Sequence, residues 1–142
     1  MGEYETDILQ WSEHQAALLR RLAAGQAPNE QPDWPNIIEE VESVGGSELA
    51  RVRSLLIQAL VHMLKAEAWP QSPGAPGWRN DARLFRVQAS DGFAPSMRQR
   101  TAVSNLYAKA LKALPDTIDG QPPLPVPAQC SLTLDELLLN DP

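Results

Sequence analysis

Apolar residues recur along this chain at intervals of three and four, the spacing that stacks side chains on one face of a helix. From Tyr4 to about Ala24, the positions Tyr4, Ile8, Trp11, Leu18, Leu19 and Leu22 share one side, and Thr6 is the expected N-cap. Gly25, Pro28 and Pro32 close that helix. A second pattern starts at Asp33 as cap, with Pro35 in the first turn, where a missing N–H breaks no hydrogen bond. Its apolar arc is Trp34, Ile37, Ile38, Val41 and Val44. Two adjacent glycines in a helix interior cost about 2 kcal/mol relative to alanine. Gly45-Gly46 therefore predicts a break or sharp kink, with a restart capped by Ser47.

From Glu48 to Glu67 the stripe is the strongest in the chain: Leu49, Val52, Leu56, Leu60, Met63 and Leu64, widened by Leu55 and Ala59. A stripe this wide belongs to the central helix of a bundle. Trp69-Pro70 ends it, and residues 71–77, with two prolines and two glycines, read as loop. A further helix is expected from Gly77 to about Ser90 on Trp78, Ala82, Phe85 and Ala89, broken by Asp91-Gly92. Pro95 can open the next, whose stripe is Val103, Leu106, Tyr107, Ala110, Leu111 and Leu114, closed by Pro115. The proline-rich segment 115–127 is expected to be extended. It leads to a short helix in which Thr133 and Glu136 stand at capping-box spacing and Leu134, Leu137 and Leu138 offer an apolar face. The pattern predicts a single all-α domain over residues 1–142, a helical bundle of about four principal helices with a short C-terminal helix docked on it.

Composition agrees with this reading. Leu and Ala total 37 residues against 16 for Val, Ile and Thr, which favours helix over sheet. No stretch approaches the roughly 18 apolar residues of a spanning helix, so no membrane partner is expected. The acidic opening of Glu3, Glu5 and Asp7 is not a signal peptide, and the net charge of −6 suits a cytoplasmic protein. A single cysteine, Cys130, excludes an internal disulfide framework and a cysteine-based zinc site.

Several of these residues together resemble a bacterial family called domain of unknown function 29. Tyr4-x-x-Asp7-x-x-x-Trp11 is similar to its first motif, and Ile38-Glu39-Glu40-Val41-Glu42-Ser43-Val44-Gly45 with Ser47-Glu48 to its second. His62-Met63-Leu64-Lys65 is similar to its third, followed by Trp78-Arg79 and by Pro127, Cys130 and Leu134. The family's His-x-x-Lys motif is often followed by Trp, whereas here Ala66 stands in that place and an aromatic returns at Trp69. The resemblance implies an all-helical soluble bacterial protein and lends no activity.

Three constellations could carry chemistry. Glu39 and Glu42 lie three apart on one helix side, and paired carboxylates can hold a hard cation or act as acid and base. A carboxylate-bridged di-metal bundle would want Glu-x-x-His on two helices, and no Glu-x-x-His occurs. His14 and His62 sit at the edges of their stripes. With Glu39 and Glu42 they form the candidate ligand set of an enzyme or metal-binding protein, which is the alternative reading. A solvated acidic face and two hydrogen-bonded packing histidines account for the same groups. The third constellation is electrostatic. Residues 1–50 carry ten acids and two bases, and residues 78–112 carry seven bases and two acids. Arg79, Arg83 and Arg86 form a stripe beside Trp78 that could bind phosphate or stack a base, so a nucleic-acid binder is the third reading. Internal complementarity between acidic and basic blocks accounts for the same charges. The candidate ligand-binding residues are therefore His62, Lys65, Trp78, Arg79, Arg83 and Arg86, with no metal and no cofactor expected. The function expected is a non-catalytic interaction or regulatory module with a protein partner, which could be a second copy of the chain.

Overall fold

Helix starts in this chain are set by whatever can satisfy the free N–H groups of a first turn. In the computed structural model, which describes residues 1–140, Asp7 has a non-helical backbone (φ −153°, ψ 85°) and its carboxylate accepts the N–H of Gln10 at 3.1 Å. The single helix expected from Tyr4 is therefore two, a turn α1 (Glu3–Thr6) and α2 (Ile8–Ala23). Asp7 is the cap in place of Thr6, whose hydroxyl instead donates back to the carbonyl of Gly2. Gly25, at φ +78°, ends α2 as the sequence suggests. The N–H groups of Gly25 and Gln26 reach the carbonyls of Leu22 and Arg21, a Schellman closure that only a residue tolerant of positive φ supplies cheaply.

The helix that follows, α3 (Trp34–Ala68), is 35 residues long and passes through Gly45-Gly46 without the predicted break. Glycine in a helix weakens it through lost backbone entropy but removes no hydrogen bond, so two well-formed flanking segments can propagate across it. The glycines mark a boundary of another kind. The chain forms two compact units, Met1–Gly46 and one that begins at Ser47.

The first unit buries Trp11 and Leu18 of α2, and Gln15 is buried with its side-chain oxygen taking the N–H of Asp33 at 2.7 Å. The second unit contains α4 (Ala75–Gly92), a 3₁₀ turn over Pro95–Arg100, α5 (Val103–Ala113) and α6 (Leu134–Leu137). Its core is the predicted stripe. Val52, Leu56, Leu60 and Leu64, four apart, pack with Ala89, Met97, Leu106, Tyr107 and Ala110 and with Leu137 and Leu138. Each such leucine, fully buried, contributes about 1.5–3 kcal/mol. Three boundaries moved. α4 starts at Ala75, ahead of the predicted Gly77, because Pro76 is tolerated in a first turn, and it runs on through Asp91-Gly92. Pro95 opens the 3₁₀ turn, and α5 waits until Val103 because buried Thr101 has a non-helical backbone (φ −127°, ψ 88°) and donates its hydroxyl to the Met97 carbonyl at 2.8 Å.

The proline-rich segment lies along the end of α3. Leu124 N–H donates to the Ala68 carbonyl at 2.9 Å, and the Trp69 indole N–H to the Gln121 carbonyl at 2.8 Å. Between Ile118 and Gln121, Asp119 and Gly120 both have positive φ, closing a tight reverse turn. The Tyr107 hydroxyl donates to the Pro127 carbonyl at 2.6 Å. The capping box is formed as spaced: Glu136 N–H donates to Thr133 Oγ1, and Thr133 N–H to Glu136 Oε1. Of the three closing leucines, Leu137 and Leu138 are wholly buried and Leu134 packs against the core. Among the described residues 67% are helical and no strand occurs, so the all-α class stands.

Candidate functional site

In the first unit a polar hollow of about 420 Å³ opens beside α2. His14 crosses it, with Nδ1 3.0 Å from Glu3 Oε1 and Nε2 2.9 Å from Glu30 Oε2. A carboxylate accepts, so contacts to one from each ring nitrogen favour the doubly protonated imidazolium. The bond to Glu3, and then that to Glu30, hold its pKa above the ordinary histidine value. Tyr4 donates to Glu40 at 2.5 Å and packs edge-on against Trp11, with ring centroids 4.8 Å apart. Loss of the hydroxyl proton beside that carboxylate is so unfavourable that the Tyr4 pKa is pushed up to about 12. Asp33 accepts from Asn36 and from the Trp11 indole N–H, which together hold its carboxyl below the usual range. All these groups are satisfied by each other, the signature of a structural latch on α1.

The predicted first-unit pair is placed differently. Glu39 and Glu42 are exposed, and the acid that does structural work is the one between them, Glu40. His14 meets Glu3 and Glu30 rather than the Glu39–Glu42 run. Among the described residues no three His, Cys, Asp or Glu side chains are grouped to hold a metal ion. Sequence reasoning missed Glu3 and Glu30. The available signal was Tyr4, Trp11 and His14 at spacings of seven and three, which puts two aromatics and a titratable ring on one face of the opening turns.

In the second unit three of the predicted residues, His62, Lys65 and Trp78, fall on facing parts of α3 and α4. His62 Nδ1 donates to the Gln58 carbonyl at 2.7 Å, and its Nε2 lies 4.0 Å from Asp81 Oδ2. Its ring lies 5.3 Å from that of Phe85. Lys65 places its ammonium 4.6 Å above the Trp78 ring, a cation–π contact. Gly74 protects that contact, because a Cβ there would stand 2.9 Å from Trp78 Cζ2. The arginine stripe does not act as a unit. Arg86 donates to the carbonyls of Leu137 and Glu136 at 2.9 and 2.8 Å, and so caps the C-terminal end of α6. Partial burial, and then the charge of Arg83, lower its pKa. Arg79 and Arg83 are exposed and enter no ion pair among the described residues.

The other conspicuous surface lies on the N-terminal part of α3. Trp34, Ile38, Val41 and Val44 are 44, 53, 70 and 63% exposed. At about 100° per residue they fall within an arc of roughly 120°. The arc belongs to the apolar face the sequence predicts, and among the described residues these four side chains remain exposed.

These features define an all-helical protein whose polar side chains are mostly spent on capping and latching. The chain belongs to the family described as Domain of unknown function DUF29, whose model matches residues 3–141. It is also similar to an alpha-helical protein of unknown function from Rhodospirillum rubrum known from its crystal structure. The two are 26% identical, with 97% of this chain and 90% of that one covered and a TM-score of 0.67. No curated protein matches the chain. Among the described residues no helix is long and apolar enough to cross a membrane.

Proposed function

We propose that this chain is a non-catalytic interaction module of the bacterial cytoplasm, and that its protein partner presents a basic amphipathic helix. The observation that carries the reading is the exposed face of α3, with Trp34, Ile38, Val41 and Val44 in one arc. Exposed apolar residues in one contiguous row are unusual on a monomer and fit a helix-in-groove contact. Charge selects the partner. The first unit holds nine carboxylates and two arginines, and Glu42 lies one turn from Ile38 on the flank of the arc. A second copy would bring the same excess of acid to the contact, whereas a lysine-rimmed helix would be steered to it.

Two designed peptides test this on the full chain, one with leucine at helical spacing and lysine elsewhere, the other with glutamate in place of lysine. The lysine peptide is expected to bind at least tenfold tighter, to change the fluorescence of Trp34, and to lose at least tenfold in affinity in Val41→Lys. Equal binding of both peptides refutes the reading, as does indifference to Val41→Lys. A dimer at micromolar concentration that Val41→Lys dissociates would assign the face to a second copy.

A further inference from the structure

A hollow of about 550 Å³ lies between the end of the 3₁₀ turn and α5, all within the second unit. Its charged lining is Arg53, Arg100, Lys109 and Lys112, and no carboxylate is among its walls. Gln99 and Asn105 add neutral amides, and buried Leu106 forms part of its base. Four positive charges around one hollow repel each other, and the fold has not relieved this. Arg98, close in sequence, pairs with Asp135 at 2.9 Å, and Arg86 is committed to α6. None of the four cations in the hollow pairs with a carboxylate among the described residues.

The arrangement is partly preset. Arg53 Nε donates to the Arg100 carbonyl at 3.0 Å, and a terminal nitrogen of the same guanidinium reaches that oxygen too. The carbonyl is held by the turn that ends at Arg100 and by buried Thr101 after it. One guanidinium is thus oriented by a neutral acceptor that leaves its charge uncompensated and its remaining N–H groups available. On α5, Asn105, Lys109 and Lys112 follow one another at four and three residues, so they share a face. Ala102, the N-cap residue just before α5 and part of the lining, offers no side-chain cap to the first turn.

We infer that this hollow binds a small phosphate-bearing anion of the polyphosphate class, through Arg53, Arg100, Lys109 and Lys112 with Asn105 and Gln99 as amide donors. Arginine supplies forked donors that match phosphate oxygens, and lysine supplies point charges. The volume suits a small molecule. The lining holds no aromatic ring on which a base could stack, so the phosphates and not a nucleobase are what it can recognise.

The inference is independent of the α3 face and is tested by calorimetry on the full chain at low salt, with orthophosphate, pyrophosphate and tripolyphosphate as probes. Affinity is expected to rise in that order. The double variant Lys109→Gln, Lys112→Gln is expected to weaken tripolyphosphate by at least about tenfold, since hydrogen bonds to charged groups are each worth that much. Lys109→Arg with Lys112→Arg should retain binding, and Arg79→Gln with Arg83→Gln should leave it unchanged. All four positions substituted are exposed, and unaltered circular dichroism verifies the fold. Absence of saturable tripolyphosphate binding at millimolar concentration overturns the inference. So does undiminished binding in the lysine-to-glutamine variant, or a loss that follows Arg79 and Arg83 instead. A single-stranded oligonucleotide that binds more tightly than tripolyphosphate, and depends on the same lysines, would replace the small anion with RNA or DNA.

Discussion

Leu137→Ala probes the closing helix, which is too short to stand alone and is held only by what it touches. Leu137 has no exposed surface and lies in the cluster with Val52, Leu56, Leu60 and Leu64. Removing a buried leucine side chain costs about 2–5 kcal/mol, and the position in that range depends on whether the surroundings can close over the cavity. Here they are restrained. The capping box fixes the start of α6, Arg86 holds the carbonyls of Glu136 and Leu137, and Leu138 is itself wholly buried. The expected cost is therefore in the upper half, about 3–5 kcal/mol, a large share of the 5–15 kcal/mol of a typical domain. For a unit of about 100 residues each kcal/mol lowers Tm by roughly 4–8 °C, so a fall of more than about 12 °C is expected. Thermal melts followed at 222 nm measure it. Arg86→Gln releases one restraint, and the cost of Leu137→Ala in that background should be smaller by roughly 0.5–3 kcal/mol. A fall in Tm of only about 2 °C for Leu137→Ala would mean that α6 is not part of the cooperative core. Strict additivity of the two changes would mean that Arg86 does not hold it.

Two other perturbations bear on the first unit and the boundary. Gly46→Ala should stabilise the protein by up to about 1 kcal/mol, because the backbone is helical there and an added Cβ meets nothing within 4 Å; a loss of stability in urea titration would show that the glycine is needed for a bend. The folded pKa of His14 is raised above the unfolded value of about 6.5, so its clamp contributes fully below that pH and is lost as pH rises through the folded pKa. Amide protection factors in α1, which take out the base-catalysed rise of intrinsic exchange, should fall between neutral and alkaline pH in the native chain and stay flat over that range in His14→Gln; an imidazole titration by NMR at or below about 6.5 would refute the clamp.

Periodicity carried most of the fold because burial of a helix face is itself periodic. The Val52–Leu64 stripe, the Thr133–Glu136 box and Gly25 each appear where local spacing placed them. The misplaced boundaries share a cause. At Thr6 and Asp7 two residues could cap, and the choice fell to Asp7. At Gly77 and at Asp91-Gly92 helical hydrogen bonds outweighed the modest cost of glycine. At Pro95, buried Thr101 with its hydroxyl on Met97 separates the turn from α5, and nothing in the spacing of residues 95–103 signals it.

Polar side chains were harder to assign, since their role depends on a partner far away in the chain. Arg86 belongs to a regular stripe with Arg79 and Arg83, yet it is drawn off by carbonyls 50 and 51 residues later. His14 is joined to acids eleven residues before it and sixteen after it, neither of them in the Glu39–Glu42 run. Lys65 and Trp78 were singled out separately and are brought together by the facing of α3 and α4. The same logic separates structure from candidate function here. A charge that has found a fixed partner, as His14, Arg86 and Arg98 have, serves the fold. Arg100, Lys109 and Lys112 keep charges that cost self-repulsion and enter no ion pair among the described residues, and Val41 exposes apolar surface. Residues of this second kind are where a ligand or partner would supply what the chain does not.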